Sequence, residues 1–246
     1  TNGYDYKKKN IDLEKIDKLL DTIFPNPDIK KSYLSYLNTG LTRIKPQKFA
    51  CSNGTGGNGK GLLGKLMMKT LGTYGAYLAN TLITKTLDPS KPAPEAASLK
   101  NVRYGIFQEL PENKKLDGSN IKNLTGENII KARMLYQNEC DVLIIATFMA
   151  ECNERLKIKG TGDDPAWARR YIDYLFESSF VDKDDPKIDN KKIFARNTEY
   201  SENDDFTEEL KIDFFHYLIE YREEEIFIPD CCLLYTSDAA DDLTRV

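Results

Sequence analysis

Gly54-Thr55-Gly56-Gly57-Asn58-Gly59-Lys60-Gly61 is the stretch on which the reading of this chain turns. It completes the pattern GxxxxGK at Gly54, Gly59 and Lys60. Glycines let the backbone take positive φ and bring amide N–H groups onto phosphate oxygens. A helix starting at Lys60 directs its positive end at the same anion. Lys60 itself would reach the β- and γ-phosphates. The flanks agree with this. Residues 48–52 predict a short strand, and residues 60–71 predict a helix that ends at Gly72. One part is missing: the hydroxyl residue that usually follows the lysine and ligates magnesium is Gly61 here. The competing reading is an ordinary glycine-rich turn.

Upstream, apolar residues at Ile11, Leu13, Ile16, Leu19 and Leu20 keep helical spacing. Pro25 and Pro27 interrupt it, and Asp28 is placed to cap a second helix reaching about Leu37 and ended by Gly40. These helices predict a small lead-in subdomain over residues 1–45. Downstream, Pro89, Pro92 and Pro94 mark a loop, with a short helix near Ala96. Strands are predicted at 102–108, at 142–148 as a fully buried strand, and at 171–176. A short helix is predicted at 120–124, a basic hairpin or strand at 129–136, and an amphipathic helix at 206–221. Strands alternating with helices predict an α/β fold with a central, mostly parallel sheet.

Candidate chemistry follows the order of the strands. A second strand should end in carboxylates that hold metal and orient water. Glu109 is placed to polarise an attacking water, and Glu112 to help hold Mg²⁺. Before Glu109 stands Gln108, where other phosphate-loop ATPases often carry Asp. The third strand leads to Glu151-Cys152-Asn153, and Asn153 could hydrogen-bond the γ-phosphate or the water. Arg169 and Arg170 are either a surface pair or an arginine finger acting across a subunit interface. His216, among Phe214, Phe215, Tyr217 and Leu218, reads as structural, and Trp167 as an anchor of the turn before the arginines. Cys51 and Cys152 read as small packing residues.

Charge by position says more than the total. The 246 residues hold 35 basic and 39 acidic side chains, net −4, a total that by itself opposes nucleic-acid binding. Residues 1–100, however, carry 16 basic and 8 acidic residues, and residues 171–246 carry 8 and 21. The front is basic and the rear acidic. Five Cys at 51, 140, 152, 231 and 232 show no metal spacing and there is one His, which argues against zinc. The longest apolar run, 142–150, falls short of the roughly 20 residues a bilayer requires. No charged-then-apolar leader opens the chain, so an intracellular, reduced protein is expected. Thr1 in place of Met suggests a fragment. Residues 232–246 resemble one reading frame of a sequencing adapter and are expected to be a scar.

Taken in order, these motifs resemble the superfamily 3 helicases, specifically the poxvirus-type primase–helicase family of large DNA viruses and phages. The resemblance runs from about Ile16 to Glu177. It rests on the phosphate loop, Leu71-Gly-Thr-Tyr-Gly75, Glu109-Leu-Pro-Glu112, Asn153 and Ala168-Arg-Arg-Tyr171. Most specific is Ile121-Lys-Asn-Leu-Thr-Gly126 with its basic sequel Ile130-Lys-Ala-Arg-Met-Leu-Tyr136. The resemblance implies an AAA-like P-loop ATPase core at 46–180, followed by an acidic helical extension at 181–231. It implies ATP and Mg²⁺ as cofactors, with Lys60 on the phosphates, Glu109 as catalytic acid, Asn153 as sensor and Arg169 or Arg170 as finger. It implies a basic, pore-facing loop of Lys122, Lys131 and Arg133 that grips single-stranded or forked DNA, with Lys157 and Lys159 as weaker candidates. It further implies a ring, usually a homo-hexamer, a possible upstream primase domain, and a place in the host cell at a site of viral replication. Two other function classes stay open. One is a P-loop small-molecule kinase, which leaves the Lys122–Gly126 block unexplained. The other is a nucleotide-binding assembly module without hydrolysis, suggested by Gly61.

Overall fold

The computed structural model describes residues 11–42, 44–85, 94–110, 115–132, 138, 140–156, 158–159, 169–198, 200, 204–223 and 225–233. Glu112, Arg133, Lys157, Trp167 and most of the expected scar, residues 234–246, lie outside them.

The sheet is built around β1 (Phe49–Asn53), buried along its whole length. The other strands are β2 (Gly75–Tyr77), β3 (Tyr104–Phe107), β7 (Thr147–Cys152) and β9 (Tyr171–Leu175), in the order β2-β3-β7-β1-β9. All four pairings are parallel. This is the expected α/β fold with a central parallel sheet. Side chains alternate across it with a period of two. Ala50, Ile106, Met149 and Tyr174 enter one apolar core, and Phe49, Phe107, Phe148 and Tyr171 the other. The first core is closed by α1 (Leu13–Ile23), α2 (Pro27–Thr42), α3 (Lys60–Leu71) and α7 (Asp204–Glu220). The second packs under α4 (Thr81–Thr84), α5 (Pro94–Ala97) and α6 (Gly118–Gly126). Cys51 and Cys152 are both buried in this second core and meet sulfur to sulfur between β1 and β7.

The glycine-bracketed helix α3 has the predicted bounds, with Gly72 at its C-terminal cap at φ 56°. Other expectations shift. The cap of α2 is Asn26, whose Oδ1 accepts from the Asp28 and Ile29 amides at 2.9 and 3.4 Å, and Asp28 is already helical. Gly40 does not end α2. It lies inside the helix, where a Cβ would come within 3.3 Å of the Arg103 carbonyl and of Met67. The strand expected at 142–148 divides in two. Cys140–Leu143 (β6) pairs antiparallel with Ile129–Ala132 (β5), and Leu143 is exposed. The central strand β7 begins only at Thr147. One apolar run therefore serves a hairpin first and the sheet second, and a run with no period carries no mark of where the change falls.

Candidate nucleotide site

β1 delivers the chain to the phosphate loop at the carboxyl edge of the sheet, where ligands of open α/β folds bind. Gly54, Gly57 and Gly59 adopt φ of 150°, 74° and 88°. The loop is fixed from several sides. The Gly54 amide donates to the Cys152 carbonyl at 3.2 Å, and the Phe180 amide donates to the Gly57 carbonyl at 2.7 Å. Buried Asn58 accepts from the Lys60 amide at 3.3 Å. Thr55 and Gly56 are exposed at the tip.

Lys60 Nζ donates to the Gly54 carbonyl at 2.6 Å and to Asn153 Oδ1 at 2.9 Å. Two residues 93 positions apart, each singled out from sequence, thus meet at one point. Burial holds the Lys60 ammonium below the ordinary lysine range, and the Glu151 charge works against that fall.

The acids are placed less simply. Glu109 follows β3 as expected and is exposed, with a left-handed backbone at φ 51°. No described contact joins it to Lys60. Glu151, read from sequence as lying past a strand, is the fifth residue of β7 and is buried. Its Oε2 accepts from Gln108 Nε2 at 2.7 Å. Burial raises its pKa, opposed by the Gln108 hydrogen bond and the Lys60 charge. The signal for Glu151 was available in the sequence: it is an acid two residues before Asn153, in an otherwise apolar strand.

A cavity of about 470 Å³ opens beside the loop. Its floor is Gly57 to Leu62 together with Glu151. Its walls include Ile23 from α1, Phe180 from β10 (Ser179–Val181), and Arg196 and Tyr200 beyond β11 (Ile193–Ala195). Sequence reasoning missed these wall residues, because nothing local marks an aromatic 120 residues after the loop as its neighbour. The volume lies within the range of small-molecule sites.

The remaining candidates sit elsewhere. Arg169, exposed, and Arg170, half-buried, precede β9. They lie at the amino edge of the sheet, where the Phe49 amide donates to the Arg170 carbonyl at 2.6 Å. The five residues of β9 separate the two edges by about 16 Å. Lys48, half-covered at this edge, is held below the ordinary lysine range by burial and by the charges of Arg169 and Arg170. Lys122 is half-buried on α6. Exposed Lys131 stands on β5, opposite Asp141 across the hairpin. Among the described residues, no three His, Cys, Asp or Glu side chains form a metal cluster, and no helix is long and apolar enough to cross a membrane.

No family model matches the chain. Curated relatives do. "Putative primase C962R" of African swine fever virus is 30% identical over 176 residues, covering 70% of this chain. "Putative helicase L207/L206" of Acanthamoeba polyphaga mimivirus is 29% identical over 171 residues, 69% of this chain. "Putative helicase 022R" of Frog virus 3 is 27% identical over 170 residues, 65% of this chain. The chain is a homologue of these primase and helicase proteins of large DNA viruses, in agreement with the superfamily 3 resemblance. It spans 18% of the length of the African swine fever virus relative. Among solved structures, the C-terminal region of NrS-1 superposes with a TM-score of 0.62 at 16% identity, over 86% of this chain and 46% of that one. That likeness concerns the fold.

Proposed function

We propose that the chain is the motor domain of a superfamily 3 replicative helicase, coupling ATP hydrolysis to movement along single-stranded DNA and to duplex unwinding. The observation that carries this is Lys60, bonded to both the loop carbonyl of Gly54 and Asn153. Lysine and sensor already share one point, where a γ-phosphate would be contacted by both. The triphosphate would lie along Gly57–Gly61, and the base between Ile23, Phe180 and Tyr200. Magnesium fits this lining: the space beyond Gly61 is open to 4 Å, and the Glu151 carboxylate lines the cavity. When bound, it would neutralise developing phosphate charge. Glu109 would orient and activate the attacking water, and Glu112 would help hold the metal through water.

Arg169 and Arg170 lie too far from their own loop to touch its phosphate. In the proposed ring, the homo-hexamer usual for the superfamily, they would complete the site of the next copy. Lys122, Lys131 and Arg133 would grip DNA phosphates without reading sequence. An adjoining primase domain in the full-length protein, and action at an intracellular replication site, belong to the same proposal. The test is ATP hydrolysis by the complete parent protein with and without single-stranded DNA, wild type against Glu109→Gln. DNA-stimulated hydrolysis that Glu109→Gln abolishes is expected. Transfer of phosphate to a small acceptor would favour the kinase reading instead, and tight ATP binding without turnover the assembly module.

A further inference from the structure

The sequence lacks two of the usual protein contacts to the metal of a bound nucleotide. Gly61 offers no hydroxyl, and Gln108 follows β3 where an acid often stands. The structure brings a carboxylate to the same place from another strand. β7 runs between β3 and β1, so its fifth residue reaches both the end of β3 and the phosphate loop. Glu151 is that residue. It touches Gln108 on one side and lines the cavity together with Lys60 and Gly61 on the other. Helix α3 is pressed onto it: a Cβ on Gly64, one turn after Lys60, would lie 2.4 Å from Glu151 Oε1. A larger residue there would have to push the carboxylate aside.

Glu151 is 9% exposed, yet among the described residues its carboxylate accepts one hydrogen bond, from a neutral amide, and forms no ion pair. A carboxylate has about four acceptor positions, and burying one so poorly matched is costly. Lys60, the nearby cation, is committed to Gly54 and Asn153. A cation from solution would resolve the mismatch. Mg²⁺ is characteristically held by one or two carboxylates together with substrate phosphates and waters.

We propose that Glu151 is the protein carboxylate through which this chain holds the magnesium of MgATP, with Gln108 orienting it. This inference rests on the nucleotide reading above. It assigns to the third strand a task that the sequence assigned to the acids after the second.

The test is ATP binding by the 246-residue chain, measured with a fluorescent ATP analogue in Mg²⁺ and again in EDTA. Glu151→Gln keeps the size and the acceptor for Gln108 while removing the charge. It should lose roughly tenfold or more of the affinity that Mg²⁺ adds, while binding metal-free nucleotide as tightly as wild type or more so. Mn²⁺ bound in the presence of ATP, read by electron paramagnetic resonance, should fall in parallel. Glu151→Asp, which keeps the charge, should retain part of the increment. An unchanged Mg²⁺ increment in Glu151→Gln would overturn the proposal. So would an equal loss with and without the metal, which would mark Glu151 as a structural support for Gln108. Wild-type chain that binds no nucleotide in either condition would overturn the nucleotide reading, and this inference with it.

Discussion

Lys60 and Asn153 were both legible from sequence because each follows a strand in a recognisable order. A hydrogen bond from an ammonium contributes about 1.5–3 kcal/mol, more than a neutral one. Lys60→Ala is therefore expected to weaken ATP binding by roughly ten- to a hundredfold, measured by nucleotide titration. Glu151 is hidden in the sequence because residues 142–148 read as one strand, which puts the acid in a loop. Asp173 offers a test independent of nucleotide. It is buried on β9, and its Oδ2 accepts from Arg155 Nε at 2.9 Å. Burial raises its pKa, and Arg155 opposes the rise. A carboxyl whose folded pKa stands above its unfolded one weakens the fold at neutral pH, and the effect fades as pH falls toward the unfolded value. Arg155→Met widens that gap. It should cost about 2 kcal/mol at pH 7, less than a fully buried pair because Arg155 is half exposed. In urea titrations the deficit should shrink as pH falls toward 3.8, the ordinary Asp value. A deficit independent of pH would show that Asp173 is not its source.

Among the elements, sequence located α3, β1, β3, β9 and α7 to within a few residues, because glycines, caps or apolar faces delimit them. It misplaced the ends of α2, where a buried glycine permits close packing rather than a turn. The packing of α7 against α1, α2 and α3 has no local signal at all. Phe214 of α7 is fully buried in that shared core. Phe214→Ala should lower stability by about 3–5 kcal/mol in chemical denaturation. The junction of α1 and α2 makes a sharper prediction. Lys30, 8% exposed, donates to Asp17 and Asp21, both at 2.6 Å. The acids are half exposed and the lysine is not. Asp17→Asn with Asp21→Asn strands a buried ammonium and should cost about 2 kcal/mol, a buried-pair loss reduced for the solvent at the acids. Lys30→Met leaves only hydrated carboxylates and should cost distinctly less. Equal melting temperatures for the two variants would contradict this.

At the scale of the molecule, a basic front and an acidic rear were visible in sequence, but the placement of the arginines was not. A parallel sheet has two unlike edges. The phosphate loop stands on one and Arg169 and Arg170 on the other. On the proposed reading, Lys60→Ala and Arg170→Ala should each be inactive alone, yet a mixture should recover part of the ATPase rate, because one copy keeps an intact loop and its neighbour an intact arginine. No recovery on mixing would place the arginines outside the chemistry. The same separation has a consequence for how the protein must be handled. On this reading an isolated chain completes no site, whereas head-to-tail contacts set the arginine edge of one copy against the loop edge of the next. Turnover per chain should then rise steeply with protein concentration and vanish on dilution, even though every molecule in the tube stays folded.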